Sequence, residues 1–142
     1  MKRTLTLTAL VAASAAAIGV TGAVTSATQP SFKFGRVGGN IEPFTVTIAR
    51  DGSVASTGPV QPTRHQLTAR TLARLAALAS NEHFFALPQR VNCAGSLPDF
   101  AYRSLTVSTS ATRTRTVLVR GGCRPGYTAL YAALAAAVGV RA

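Results

Sequence analysis

The spacing of apolar residues switches between two periods along this chain, and that switch restricts its fold more than any other feature. Over Phe44–Ala49, the residues Phe44, Val46 and Ile48 alternate with Thr45, Thr47 and Ala49. This two-residue repeat marks a half-buried strand rich in β-branched side chains. Leu105 and Val107 within Tyr102–Thr109, and Val117 and Val119 within Thr114–Arg120, repeat it on either side of a turn at Ser110-Ala111-Thr112. From Thr68 onward Leu72, Leu75, Leu78 and Ala79 recur every three to four residues, with Arg70 and Arg74 on the other side. Tyr127, Leu130, Tyr131, Leu134 and Val138 form a second such stripe. Both are amphipathic helices by their period, and Thr68 is the expected N-cap of the first.

Shorter signals connect these elements. A strand around Phe32–Val37 ends at Gly38-Gly39, and Asp51-Gly52 marks a hairpin because both residues tolerate positive φ, with Ser53–Thr57 as the returning strand. Gly58-Pro59 and Pro62 punctuate a loop. Phe84 and Phe85 read as core anchors, as aromatics dominate burial in a small domain. Residues 88–99, with Cys93, Gly95 and Pro98, form the longest loop. Arg113, Arg115 and Arg120 are expected on a solvated sheet face opposite Val117 and Val119. The order strand, hairpin, helix, hairpin, helix predicts one α+β domain: an antiparallel sheet of about five strands with two amphipathic helices packed on one face.

The amino-terminal stretch reads as an address. Met1-Lys2-Arg3 is followed by uncharged Leu5–Ala23 and then by small residues through Ala27, the three regions of a secretory signal peptide. Thr25 at the −3 position places the cut after Ala27, with Ala23 as the alternative. Thr4, Thr6, Thr8 and Ser14 leave the stretch weakly hydrophobic for a retained anchor. The expected organisation is a signal peptide at 1–27 and a single domain at 28–142, secreted to the extracellular space or cell envelope. In that oxidising setting Cys93 and Cys123, the only two cysteines, are expected to form a disulfide.

Charge narrows the function. The sequence holds 15 Lys or Arg against 4 Asp or Glu. The leader carries Lys2 and Arg3 and no acid, so the rest keeps +9 of the formal +11. At 47% hydrophobic residues the chain is too apolar for disorder. Four carboxylates leave little material for paired acid/base catalysis or an oxygen-ligand metal cage. His65 and His83 lack ligand spacing with the cysteines, and no nucleophile elbow, phosphate loop or dinucleotide fingerprint occurs. An enzymatic site would have to be assembled from Asp99, Glu82 and His83. The expectation is a non-enzymatic protein with no cofactor and no metal. The arginines are spread over several elements without interleaved aromatics or a recognition helix, so no nucleic-acid partner is expected. A cationic domain of this kind can also be held by an anionic cell-envelope polymer or lipid surface.

Several motifs occur together in order: Arg36-Val37-Gly38-Gly39-Asn40, the strand Phe44–Arg50, the Leu-rich helix running into Phe84-Phe85-Ala86-Leu87-Pro88, Pro98-Asp99-Phe100-Ala101-Tyr102, and a terminal helix introduced by Pro125 with Leu130 and Leu134. This arrangement, over residues 34–138, resembles emfourin, a small proteinaceous inhibitor of thermolysin-like metalloproteases. The Cys93–Cys123 pair and the arginine excess depart from that family's pattern. The resemblance implies a compact monomer that occludes the cleft of a secreted metalloprotease. Its contact surface is expected at Gly38, Gly39 and Asn40 together with Asn92, Ser96, Pro98 and Asp99, where Gly- and Pro-bearing loops lie beside the cross-link.

Overall fold

A computed structural model describes residues 29–141; the expected leader, residues 1–27, lies outside them. Strands β1 (Ser31–Val37), β2 (Phe44–Ile48) and β3 (Val54–Thr57) precede helix α1 (Ala69–Asn81) and a 3-10 turn at Phe84–Ala86. Then come β4 (Arg90–Asn92), β5 (Tyr102–Ser108), β6 (Thr114–Arg120) and helix α2 (Pro125–Val138). The strands form one six-stranded sheet in the order β3-β2-β1-β5-β6-β4. The fold is α+β.

Two features differ from the sequence expectation. The sheet has a sixth strand, and it is mixed: β4 runs parallel to β6, pairing Val91 with Val119, while every other pairing is antiparallel. Three residues with one apolar member give no readable alternation. What holds β4 is non-local, because the Leu118 amide donates to the Gln89 carbonyl and the Cys93 amide to the Arg120 carbonyl. The hairpin between β2 and β3 also differs in detail. Its loop spans Arg50, Asp51 and Gly52, and only Gly52 has positive φ, the pattern of a type I turn closed by a left-handed glycine. A Cβ at Gly52 would come within 2.1 Å of the Leu67 carbonyl oxygen, so glycine also lets the segment before α1 lie against the turn.

Alternation decides which face is covered. Phe32, Phe34, Val46, Ile48, Leu105, Val107, Val117 and Val119 all point to the helix side and are buried. Helix α1 contributes Leu72, Leu75 and Ala79, and α2 contributes Tyr127, Leu130, Tyr131, Leu134, Ala135 and Val138. The Thr68 hydroxyl accepts from the Thr71 amide and starts α1 as expected. An aromatic ladder joins the layers: Phe84 stacks on Tyr127, Tyr127 on Tyr131, and Tyr131 meets Phe34 edge to face. Phe85 is only half-buried and carries the Arg113 guanidinium at 4.2 Å from its ring.

Both α2 tyrosines put their hydroxyls on strand backbone. Tyr127 donates to the Arg103 carbonyl at 2.6 Å, and Tyr131 donates to the Gly35 carbonyl at 2.9 Å. Burial pushes both phenols up, Tyr127 far above its ordinary value. An unfolded chain releases phenolic protons at about pH 10, whereas the folded chain holds them, so stability falls as pH rises above that point and these groups add no pH dependence below it. The urea midpoint should decline through the alkaline range, with less decline in Tyr127→Phe; equal slopes in both proteins would contradict this.

Cys93 and Cys123 form the expected disulfide, with Cα atoms 5.5 Å apart. It ties the segment after β4 to the loop leaving β6. Closing a loop of 30 residues contributes about 3.5–4 kcal/mol in the chain-entropy account. Replacing both cysteines by serine should lower unfolding free energy by about 2–4 kcal/mol in a urea titration, and no change would show that the link leaves the unfolded state unconstrained.

Candidate functional site

The end of the sheet where β1 finishes and β5 begins gathers the chain's unusual surface residues. Gly38 and Gly39 both have positive φ and turn the chain out of β1. The Asn40 amide then donates to the Asp99 carbonyl at 3.1 Å. A Cβ on Gly39 would lie 2.5 Å from the Asp99 oxygen and 2.6 Å from the Ala101 nitrogen, so only glycine permits this contact. The two loops therefore form one surface. Of the large apolar side chains among the described residues, Ile41, Leu97 and Phe100 are the exposed ones, at 41%, 54% and 52%, and all three sit on these loops.

Ile41 and Phe100 border an open hollow of about 580 Å³, whose other lining residues include Arg36, Asn40, Asp99, Ala101, Arg103 and Val119 beside the Gly121-Gly122 segment. Arg36 and Arg103 are register partners across the β1–β5 pair. They lie on the helix side, at the positions that continue Phe32-Phe34 and Leu105-Val107. The Arg103 guanidinium is 5.8 Å from the Tyr131 ring centroid. Arg36 and Arg103 both work against the upward push that burial gives the Tyr131 phenol, which places both cations beside one ring.

The expected contact residues separate into two groups. Gly38, Gly39, Asn40, Pro98 and Asp99 belong to the paired loops, and all five are exposed. Asn92 and Ser96 have other partners. Asn92 lies on β4 and accepts a 2.6 Å hydrogen bond from the Tyr102 hydroxyl on the sheet's open face. The Ser96 hydroxyl donates to the Arg120 carbonyl at 3.2 Å, bracing the loop against β6. Asp99 and His83 line different hollows, and Glu82 lies against Gly126 in the first turn of α2. Among the described residues no group of three His, Cys, Asp or Glu could hold a metal ion, and no helix is long and apolar enough to cross a membrane.

Ile41, Leu97, Phe100, Arg36 and Arg103 are not among the expected contact residues, although Arg36 and Phe100 lie within the motifs that carry the resemblance. A usable signal was present for the arginines: each occupies the apolar parity of its strand, where a charge has no packing reason to be. Arg115 corrects a further expectation. It shares the parity of Val117, lies on the helix side, and its guanidinium donates to the Leu87 carbonyl instead of facing solvent.

The open face has a different character. Its central row runs Ala55, Thr47, Lys33, Thr106, Thr116, with the last two hydroxyls 2.8 Å apart. Toward β4, Arg120 and Arg90 sit over the Tyr102 ring at 4.1 and 5.3 Å. No strand position on this face carries a carboxylate.

Comparisons with protein-family models, curated proteins and solved structures find no match to this chain.

The geometry separates the two glycines of the first loop. Gly38→Ala meets no neighbour and should cost only the left-handed penalty, about 1–2 kcal/mol. Gly39→Ala adds a backbone overlap and should cost about 2–3 kcal/mol more than an unstrained replacement. Chemical denaturation of the two variants checks this ranking, and equal stabilities would mean that the loops are not held together through Gly39.

Proposed function

We propose that the protein is a secreted, non-enzymatic binding domain that docks through its paired loops, Gly38–Ile41 and Leu97–Ala101. The observation that carries this reading is the confinement of Ile41, Leu97 and Phe100 to one braced surface. Exposed apolar side chains gathered in one place mark an interaction site more often than scattered ones do. The Asn40–Asp99 backbone bond and the Cys93–Cys123 link supply stiffness, so little ordering cost accompanies docking. The partner we propose is a thermolysin-like metalloprotease of the same compartment, blocked sterically at its cleft. That choice of partner rests on the resemblance to emfourin.

The test is an activity titration. Purified protein should inhibit a co-secreted thermolysin-type protease at micromolar concentration, and Ile41→Ser and Phe100→Ser should each weaken inhibition by about tenfold or more, the size of an interface anchor. Absence of inhibition at that concentration would sink the metalloprotease reading.

The open face, whose strands carry cations and no carboxylate, favours a second reading, attachment to an anionic envelope polymer or lipid surface through Lys33, Arg90 and Arg120. Cell-surface retention would then collapse as ionic strength rises and the charges are screened. Retention that ignores salt excludes it.

A further inference from the structure

The hollow beneath the paired loops has a chemistry that loop docking does not require. Arg36 and Arg103 stand opposite each other on adjacent strands. Like charges in that arrangement oppose folding unless something offsets them. Both are half-buried beside the Tyr131 ring, which offsets part of that repulsion but brings no negative charge, and a partly desolvated cation is less screened by water. The only carboxylate in the lining is Asp99, which is exposed on the rim. The lining therefore carries two guanidinium groups against one carboxylate.

The rest of the wall says what else an anion brought here would have to carry. Ile41, Phe100, Ala101 and Val119 supply apolar surface next to the arginines. Asn40 and the exposed Gly121-Gly122 segment supply amide groups at the mouth. Guanidinium pairs recognise carboxylates through charge-assisted, often forked hydrogen bonds. A volume of about 580 Å³ is within the range of sites for small ligands and chain ends.

We propose that this hollow binds the free C-terminal end of a peptide whose last side chain is apolar, with Arg36 and Arg103 on the carboxylate, Ile41 and Phe100 against the side chain, and Asn40 beside the last peptide bond. A bare anion would leave the apolar wall wet, and a simple fatty acid would leave the amide groups at the mouth unmatched. This site does not depend on the metalloprotease reading.

Titration of the purified protein with N-acetyl-Ala-Leu as the free acid, followed by amide chemical shifts and by calorimetry, tests it. The acid should bind and shift Asn40, Phe100, Ala101 and Gly121, while the same peptide as its C-terminal amide should bind about tenfold more weakly or worse, the loss expected for hydrogen bonds to a charged group. Arg36→Gln and Arg103→Gln should each produce a similar loss, and Arg113→Gln, which sits at Phe85, should produce none. The acid-against-amide comparison uses the unaltered protein, so it decides even if a variant folds poorly. Equal binding of acid and amide, no binding of the acid at millimolar concentration, or equally tight binding of acetate or octanoate would each overturn the proposal.

Discussion

Helix α2 is fastened to the middle of the sheet by two buried hydroxyls, and the remaining structure depends on that attachment. The Tyr131 hydroxyl donates to the Gly35 carbonyl on β1 and the Tyr127 hydroxyl to the Arg103 carbonyl on β5. These two strands are neighbours at the centre of the sheet, so one helix fixes both at the height where they give way to loops. A tyrosine buried without such a partner would pay for desolvating its hydroxyl. Paired with backbone, it adds packing area and a directional constraint together. The ladder from Phe84 through Tyr127 and Tyr131 to Phe34 extends that constraint to the segment following α1.

The paired-loop end is what this frame leaves over. Because β1 and β5 are held in register up to Val37 and Tyr102, their loops must emerge side by side, and Gly39 lets them touch. The disulfide does the same on the neighbouring flank, tying the segment after β4 to the exit of β6. Three exposed apolar side chains and two opposed arginines then lie on rigid supports, the condition under which a loop can bind without first being ordered. The open face has no such focus. It holds a hollow of about 580 Å³ lined by Lys33, Thr47, Asp51 and Thr106 but none of the exposed large apolar side chains among the described residues, and its hydroxyl rows and cations suit diffuse attraction, which is why it supports the envelope reading.

The sequence carried the frame more legibly than the site. Long alternating stretches disclose β2, β5 and β6, the Leu and Tyr stripes disclose both helices, and two cysteines behind an expected leader disclose the link. What stayed hidden has a common cause. Strand β4 is ordered by pairing with β6, a contact nearly thirty residues away along the chain, and Arg90-Val91-Asn92 alone holds no periodic information. Charge alone sends Arg115 to solvent, although its parity with Val117 and Val119 puts it on the helix side. The same parity marks Arg36 and Arg103. For Arg115 position is a better guide than charge, and for Arg36 and Arg103 it is the one signal the strands offer. Ile41, Leu97 and Phe100 lack even that signal, since an apolar residue in a loop shows its exposure only once the fold is known.

We propose that the paired loops, and not the open sheet face, are the working surface. Mapping amide chemical shifts of the isotope-labelled protein, with and without a catalytically inactive thermolysin-type protease, tests it most directly. Changes are expected at Gly38–Ile41 and Leu97–Ala101, with Lys33, Thr47, Thr106 and Thr116 unmoved. Changes concentrated along that threonine row, with the loops unaffected, would contradict it.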